Sequence, residues 1–359
     1  MNFLYTLFII TPLIINIKIE AQTTDVVTGL NNPTTIAING NDLYFSEARG
    51  NKISKINLNS SLPASSTIDV ITGLNLPDGI ILNGNNLYIA EWAGNKISKI
   101  DITQTTPTAI DVITGLSGPA RMALNGNDLY IVEWSGNKIS KIDITQTTPT
   151  AIEVLTGLSG PLAMALNGND LYIAEYSGNK ISKIDITQTT PTVTDVITGL
   201  SGPNGLTYIG DDLYISELRG NKISKIDITD TTPVAIDVIT GLNGPSDLYL
   251  NGSDLYIVEA FGNKISKLNL NTLSVNNFPK KNLIKIYPNP TSASVNIDIE
   301  EVQSDVNLHL TNALGQVLFI KNYTSTNQIN FDIDTPKGLY FLQIETDDGE
   351  TETRKIIKQ

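Results

Sequence analysis

Residues 136–141 read Gly-Asn-Lys-Ile-Ser-Lys, and the same hexapeptide begins at five further glycines: Gly50, Gly94, Gly178, Gly220 and Gly262. A Thr-Gly-Leu motif recurs in step with it, with its glycine at Gly29, Gly73, Gly115, Gly157, Gly199 and Gly241. Both series advance once by 44 residues and then four times by 42. Self-similarity at such a period is typical of repeat architectures, so one repeat is one unit of the fold.

Each repeat is predicted to form four short β-strands. In the third copy, strands are expected at residues 119–124, 128–133, 137–144 and 152–156. Asn125-Gly126 separates the first two, and Asn-Gly between apolar runs is a hairpin signal because both residues tolerate positive φ. Thr, Ile, Val and Tyr fill the strands, and no helical periodicity appears. Six copies of four strands predict an all-β fold, a six-bladed β-propeller.

The order of the strands predicts how the ring closes. The last copy, residues 245–270, supplies only three strands, whereas residues 25–30 match the fourth, outer strand of a blade. The N-terminal strand is therefore expected to complete the sixth blade and cover its edge. Residues 273–278 are the alternative source of that strand.

The repeats resemble those of NHL-type six-bladed propellers. These run from a proline through a strand that ends in an acidic residue to Gly-Asn-(Lys/Arg)-Ile, seen here as Pro161, residues 171–175 and residues 178–181. The resemblance covers residues 25–270 and departs from the family in having Glu where Asp is usual. The chain more distantly resembles gluconolactonase-like propellers, which share the architecture.

A different pattern begins at Asn282. Its landmarks are Tyr287-Pro288-Asn289-Pro290, Leu314-Gly315-Gln316-Val317, Gly338-Leu339-Tyr340 and the basic-apolar end at 353–359. Alternating strands and glycine turns predict a small immunoglobulin-like β-sandwich. The ordered landmarks resemble the type A C-terminal sorting domain of the type IX secretion system of Bacteroidota. That resemblance implies that residues 282–359 engage the secretion machinery and that the protein passes through the periplasm to the outside or the outer cell surface. A generic immunoglobulin-like module is the alternative.

The N-terminal residues 1–21 are predicted to be a signal peptide. Residues 3–17 form an apolar run of the right length, and Ala21 suits the position before a cleavage site, although no Lys or Arg precedes the run. An anchor helix is the alternative, but Pro12, Lys18 and Glu20 interrupt a spanning segment. The expected organisation is a signal peptide, a propeller at 22–278 and a sorting domain at 279–359, with no membrane span in the mature chain.

Composition excludes several kinds of chemistry. The 24 Lys and Arg against 37 Asp and Glu give a net charge of -13, which argues against a nucleic-acid partner. There is no Cys, and the single His, His309, lies in the tail. A thiolate nucleophile and a multi-histidine metal site are therefore excluded. An enzymatic propeller would have to use carboxylates, Tyr, Lys, Arg or a bound cation.

The six copies disagree at two places that we predict to be loops on one face of the ring. One is the pair after the glutamate that ends strand two, and the other is the pair after the recurring proline. Both Trp residues of the chain and all three propeller arginines fall in this set. Ligand sites usually form where variable loops cluster on a rigid scaffold.

We therefore predict a ligand-binding arc on consecutive blades, formed by Trp92, Trp134 and Tyr176. The arginines Arg49, Arg121 and Arg219 are expected beside it, as is Phe261 of the pair Ala260-Phe261 in the sixth copy. Aromatic faces stack on sugars or apolar side chains, and Arg forms bidentate bonds to carboxylates. The competing interpretation is that the aromatics only pack between adjacent loops.

Other recurring or divergent residues have simpler expectations. Asp78, Asn204 and Asp247 differ from their counterparts near the channel mouth and could hold Ca²⁺; no other cofactor is expected. The residues that recur in every copy are expected to stabilise the blade. The glutamates should accept hydrogen bonds from loop N–H groups, the paired lysines should be solvated strand residues, and the tyrosines should pack in the core or between blades. The glutamates are Glu47, Glu91, Glu133, Glu175, Glu217 and Glu259, and the tyrosines are Tyr44, Tyr88, Tyr130, Tyr172, Tyr214 and Tyr256.

Three functions are compatible with these features. The first is a secreted or surface-attached propeller that binds an extracellular glycan, peptide or protein, with no catalytic residue assigned. The second is a metal-dependent lactonase-like hydrolase, or a polysaccharide lyase that uses Tyr, Lys or Arg. The third is a structural surface protein whose loops have drifted. Near-identical repeats suggest recent duplication, which favours the first and third.

Overall fold

A computed structural model describes residues 22–271, 284–313, 315–346 and 351–359. The chain divides into two compact units, residues 1–272 and 273–359. The predicted signal peptide, the alternative closing strand at 273–278 and Leu314 lie outside the described residues. No helix of the described ranges is long and apolar enough to cross a membrane.

Among residues 22–271, the first unit has strands β1 (Thr24–Thr28), β2 (Pro33–Asn39), β3 (Asp42–Glu47), β4 (Lys52–Asn57), β5 (Ile68–Thr72), β6 (Pro77–Asn83), β7 (Asn86–Glu91), β8 (Lys96–Asp101), β9 (Ile110–Thr114), β10 (Pro119–Asn125), β11 (Asp128–Glu133), β12 (Lys138–Asp143), β13 (Ile152–Thr156), β14 (Pro161–Asn167), β15 (Asp170–Glu175), β16 (Lys180–Asp185), β17 (Thr194–Thr198), β18 (Pro203–Ile209), β19 (Asp212–Glu217), β20 (Lys222–Asp227), β21 (Ile236–Thr240), β22 (Pro245–Asn251), β23 (Asp254–Glu259) and β24 (Lys264–Asn269). They form six antiparallel four-stranded sheets, which confirms the six-bladed propeller. In chain order, blades I to V are β2–β5, β6–β9, β10–β13, β14–β17 and β18–β21.

Blade VI has the order β1-β24-β23-β22, so the N-terminal strand closes the ring as predicted. Thr24 pairs with Lys267 and Thr28 with Lys264, and a register shift lies between Asp25 and Val27. Val26 and Val27 are 0% and 1% exposed and belong to a core cluster with residues of blades I and VI. The closing strand therefore contributes buried apolar surface as well as ladder hydrogen bonds.

The core of the propeller lies between adjacent blades. Tyr44 of blade I is buried in one cluster with Leu87 and Ile89 of blade II, and the equivalent tyrosines of later blades lie in similar clusters. The packing role predicted for these tyrosines is confirmed. Both faces of each sheet are covered by neighbours, which explains why the strands lack a strict alternation of apolar and polar residues.

The asparagine of each Gly-Asn-Lys motif joins one blade to the next. Asn137 has a φ of 51°, a left-handed conformation that Asn tolerates better than most residues. Its main-chain carbonyl accepts the N–H of Leu158 at 3.1 Å, and its Oδ1 accepts the N–H of Gly160 at 3.0 Å. At the ring closure, the carbonyl of Asn263 accepts the N–H of Leu30, and its Oδ1 accepts that of Asn32.

The second unit is one antiparallel sheet of strands β25 (Lys285–Tyr287), β26 (Ser294–Asn312), β27 (Val317–Asp332), β28 (Gly338–Thr346) and β29 (Thr351–Lys358). The two halves of β26 share one core, since Val295 and Ile297 cluster with Leu308 and Leu310. The register with β27 is irregular between Asp298 and Gln303. The predicted all-β module is confirmed, and a single curled sheet encloses its core.

Truncating the buried valines of β1 tests the ring closure. Val26→Ala and Val27→Ala each remove two methyl groups from a fully packed site, so each should lower the free energy of unfolding by about 2 kcal/mol. Ile68→Ala changes the exposed start of the outer strand of blade I, where 59% of the residue is exposed, and should have little effect. Thermal and denaturant unfolding measure both. Valine variants as stable as Ile68→Ala would contradict closure by β1.

Candidate functional site

A glutamate at the end of the second strand of every blade fixes the loop that carries the variable residues. In blade III, Oε2 of Glu133 accepts the N–H of Ser117 at 2.7 Å, and Oε1 accepts the hydroxyl of Ser140. Lys138 places its Nζ 3.5 Å from the same carboxylate. The other five glutamates make the same two hydrogen bonds. The structural role predicted for the six glutamates is confirmed.

The variable pairs after these glutamates surround an open cleft of about 360 Å³, which we call the aromatic cleft. Blades II, III and IV supply its apolar wall, which consists of Leu76, Trp92, Trp134, Leu162 and Tyr176. Blades I and II supply its polar groups, which are Asn32, Thr34, Arg49 and Asp78. The volume is at the lower end of the range usual for small-ligand sites, and the polar groups gather at one side of an apolar wall.

The two tryptophans form a continuous surface. Their ring centroids lie 6.2 Å apart with planes inclined by 55°, the spacing of a packed aromatic pair. Trp92 keeps 36% of its surface exposed, whereas Trp134 is half-buried, and its indole N–H has no hydrogen-bond partner among the described residues. The rings therefore pack on each other and still present an apolar face to the cleft.

Tyr176 extends this surface and carries a cation on it. The guanidinium carbon of Arg219 lies 4.2 Å from the ring centroid of Tyr176, and its Nε donates to the phenolic oxygen at 3.0 Å. Arg219 is exposed to solvent. Stacking of this kind favours Arg, because the planar guanidinium can lie on a ring and hydrogen-bond at the same time.

Arg121 does not line the aromatic cleft, which differs from our expectation that it would lie beside the arc. It is 6% exposed and lines the central channel, a cavity of about 300 Å³ between the six inner strands. Its Nη2 donates to the carbonyl of Thr34 at 2.7 Å and to that of Ser246 at 3.2 Å. Arg121 thus joins blade III to blades I and VI across the channel.

The physical reason lies in the second set of variable pairs. We predicted these pairs to be loops, but they belong to the inner strands, which begin at the recurring proline. The register between Pro119 and Met122 is irregular, so the two strands are not paired at Ala120 and Arg121. The first residue of the pair lines the cleft in blades I, II and IV, whereas the second residue lines the channel at Thr35, Arg121, Ala163 and Asp247. As the second residue of its pair, Arg121 is therefore separated from Arg49 and Arg219.

The three predicted calcium ligands occupy different surroundings. Asp78 is half-buried in the aromatic cleft, and Asn204 is buried at 6% exposure. Asp247 lines the channel, where its Oδ2 accepts the N–H of Ile36 at 3.1 Å and lies 4.0 Å from Nη1 of Arg121. A guanidinium this close competes with a metal cation for Asp247. Within the described ranges, no three His, Asp or Glu side chains lie close enough together to hold a metal, and a calcium site stays a prediction.

Phe261 is the second residue of the variable pair in blade VI, the position that Arg49 and Arg219 hold in their blades, and it does not line the aromatic cleft. It is 60% exposed and lies against Gly244, which has a φ of 63°. Phe261 thus lies on the glycine of its own blade, whereas Trp92 and Tyr176 each lie on the glycine that enters the following blade. A Cβ on Gly118 would lie 3.0 Å from Nε1 of Trp92, and one on Gly202 would lie 2.9 Å from the ring of Tyr176. Glycine therefore lets these two rings lie directly on the loop of the next blade.

Comparing the copies at two variable positions missed Asn32 and Leu76 of the cleft. The residue before the recurring proline is Asn32 in blade I, Leu76 in blade II and glycine in the other four blades. This third position of disagreement was visible in the sequence. At the two exceptions, a side chain replaces the bare glycine backbone and contributes to the cleft.

The recurring lysines are ion-paired rather than merely solvated. In blade IV, Nζ of Lys180 lies 2.6 Å from Asp195 and 3.5 Å from Glu175, and Nζ of Lys183 lies 2.7 Å from Asp170. Both lysines lie on the third strand of the blade. Lys180 pairs with the outer strand, and Lys183 pairs with the second strand. The exception is Lys99, because Asn86 replaces the usual aspartate.

A comparison with known protein families identifies the tail. Residues 285–359 match the family described as secretion system C-terminal sorting domain. The tail is therefore a type IX sorting domain, and it indicates secretion or an outer cell-surface location. No curated protein sequence matches the chain significantly.

Solved structures match the propeller at low identity. A catalytically inactive His-to-Ala variant of virginiamycin B lyase from Staphylococcus aureus, with quinupristin, is 19% identical, with a TM-score of 0.52 over 94% of this chain and 99% of that one. A chain of a nidogen/laminin complex is 16% identical (TM-score 0.55, 64% and 89% covered). A protein described as a putative gluconolactonase is 12% identical (TM-score 0.57, 69% and 92% covered). At these identities the likeness shows the fold alone.

Replacing Asp247 tests its burial in the channel. Burial raises the pKa of this carboxyl group, while the charge of Arg121 opposes that shift. The folded state then holds the proton more tightly than the unfolded chain, so Asp247 costs more stability as the pH rises from about 4 through its raised pKa. The unfolding free energy of Asp247→Asn minus that of the parent should therefore increase over this pH range.

Asp101→Asn is the control of opposite sign. Hydrogen bonds from the hydroxyl and N–H of Thr103 lower the pKa of Asp101. Asp101 therefore contributes stability above its unfolded pKa and loses it as the pH falls through its lowered folded pKa. The same difference should decrease as the pH rises toward about 4 and stay level above it. Denaturant unfolding followed by tryptophan fluorescence measures both variants, because both tryptophans lie in the propeller. Parallel pH trends for the two variants would contradict the assignment.

Proposed function

We propose that this exported propeller is a binding protein that holds an extracellular ligand, best fitted by a glycan, in the aromatic cleft. The observation that carries the proposal is the joint placement of Trp92, Trp134 and Tyr176 as one open apolar wall beside polar groups of blades I and II. The tail accounts for export, and the cleft accounts for what the exported protein does.

The cleft has the chemistry of a sugar site. Sugar rings present apolar C–H faces that stack on aromatic rings, and their hydroxyl groups need donors and acceptors at the ring edge. Asp78 and Thr34 supply such groups, and the hydroxyl of Thr34 is itself fixed by donating to the carbonyl of Asp78 at 2.8 Å. The wall and the polar groups are spread over blades I to IV, so the rigid ring presets their spacing.

Two observations favour binding over catalysis. The virginiamycin B lyase structure is described as catalytically inactive when a histidine is replaced by alanine, whereas residues 22–271 of this chain contain no His. The carboxylate of Asp247 lies 4.0 Å from Nη1 of Arg121, whose positive charge disfavours a metal cation at this position. A propeller scaffold supports both enzymes and binding proteins, so the residues of the site decide between them.

Trp92 and Trp134 are the only tryptophans of the chain, so tryptophan fluorescence reports on the cleft. Titration of the full chain with oligosaccharides that it retains on a glycan array should change this emission. Trp92→Ala removes an exposed stacking face and should weaken the binding of a retained glycan by about tenfold. Calorimetric titration checks the affinity of the variant, and thermal unfolding checks that it is folded.

Phe261→Ala is the matched control, because it removes an exposed aromatic ring from the variable pair of a blade that does not line the cleft. It should bind within twofold of the parent. If Trp92→Ala binds every retained glycan as tightly as Phe261→Ala does, the aromatic cleft is not the binding site.

A further inference from the structure

The unpaired positive charge of the propeller is concentrated at the aromatic cleft. Residues 22–271 carry 15 basic and 25 acidic residues, a net charge of -10. Eleven of the 12 lysines lie within 4.0 Å of a carboxylate of their own sheet. Arg121 is buried against Asp247. The cations left without such a partner among the described residues are Lys99, Arg49 and Arg219.

Two of these three cations lie at opposite ends of the aromatic wall. Arg49 of blade I lines the cleft and is exposed. Arg219 of blade V stacks on Tyr176, which is the last aromatic ring of the cleft. In the order of the blades the groups are therefore Arg49, Trp92, Trp134, Tyr176 and Arg219. An acidic protein that leaves its free guanidinium groups here provides electrostatic complementarity for an anion at this one place.

The aromatic geometry favours a ligand that lies across the rings. The centroids of Trp92 and Trp134 are 6.2 Å apart, which leaves no room for a guest between the two ring faces and excludes a cage of the kind that encloses a quaternary ammonium group. A chain of flat rings can instead lie over successive aromatic residues. Asp78 lies between the ends of the wall, where its carboxylate can accept hydrogen bonds from sugar hydroxyl groups and would repel an anionic group. The negative charges of a ligand are therefore expected at the two ends, next to the arginines.

We propose, as a refinement that rests on the proposed function, that the ligand is an acidic oligosaccharide. Its sugar rings lie across Trp92, Trp134 and Tyr176, and its uronate or sulfate groups pair with Arg49 and Arg219. Guanidinium groups suit this role because they form two parallel hydrogen bonds to a carboxylate or sulfate.

The test uses the full chain on an array of uronate-containing, sulfated and neutral oligosaccharides, with oligoglutamate as an acidic peptide. The retained sugars should be acidic, and added salt should weaken their binding. For a retained uronate, the methyl-esterified form of the same oligosaccharide keeps the rings and loses the charge, so it should bind at least about tenfold more weakly. Tryptophan fluorescence and calorimetry measure these affinities.

Arg49→Gln and Arg219→Gln should each weaken binding of the acidic sugar by about tenfold, because each removes one charge-assisted contact. Lys99→Gln makes the same change in net charge away from the cleft and should bind within twofold of the parent. Arg219→Lys keeps the charge without the bidentate geometry and should fall between the parent and Arg219→Gln. Thermal unfolding checks that each variant is folded.

The contrary outcomes separate this refinement from the proposed function. If the array retains neutral sugars, and their binding depends on Trp92 but not on the two arginines, the proposal of an acidic ligand is wrong. The proposal that the cleft binds a glycan then still stands. Oligoglutamate bound as tightly as any uronate or sulfated sugar would overturn the assignment to a glycan. If no sugar is retained, or if retention is indifferent to Trp92, both proposals fail.

Discussion

Each blade depends on one asparagine in a left-handed conformation. In blade III, Asn137 uses its main-chain carbonyl and its side-chain amide oxygen to accept two N–H groups of the loop that enters blade IV. Because the residue keeps a φ near 52° from Asn51 to Asn263, all six joints have nearly the same geometry. The glutamate that ends strand two fixes the same entering loop from within its own blade. Together these two residues hold the turn of one blade against the loop of the next.

Because the Glu and Asn contacts are the same in all six blades, the loop residues next to them can differ without changing the joints. Once Glu and Asn have satisfied the loop backbone, the two residues between the glutamate and the recurring Gly-Asn can vary from blade to blade. The ring places six such pairs side by side. Trp92, Trp134 and Tyr176 can therefore form one wall although 42 residues separate each from the next. The glycines at 118 and 202 complete the arrangement, because a side chain there would collide with the aromatic ring of the preceding blade.

The repeat predicted the fold in detail because every copy carries its own turn, strand and packing signals. Strands β11 and β13 were predicted to the residue, and the closing strand was found from a single unmatched segment. The site was harder to predict from the sequence. Disagreement among the copies identifies which positions vary but not whether each residue is buried or exposed. Trp92, Trp134 and Tyr176 come together as predicted, whereas Arg121 follows an irregular inner-strand register into the channel. The pairing of nearly every lysine could not be read from strand alternation, because its partners lie on neighbouring strands.

The closure of blade VI depends on strands from both ends of the propeller sequence. Strand β1 contains the first residues of the ring and pairs with β24, whose last residue is Asn269, so the ring cannot be completed until almost all of the propeller sequence is available. The sorting domain follows directly in the chain, from residue 285. A chain that presents this domain has therefore already supplied every strand of the ring. The position of the export signal thus excludes chains whose synthesis stopped before the last strand of the ring.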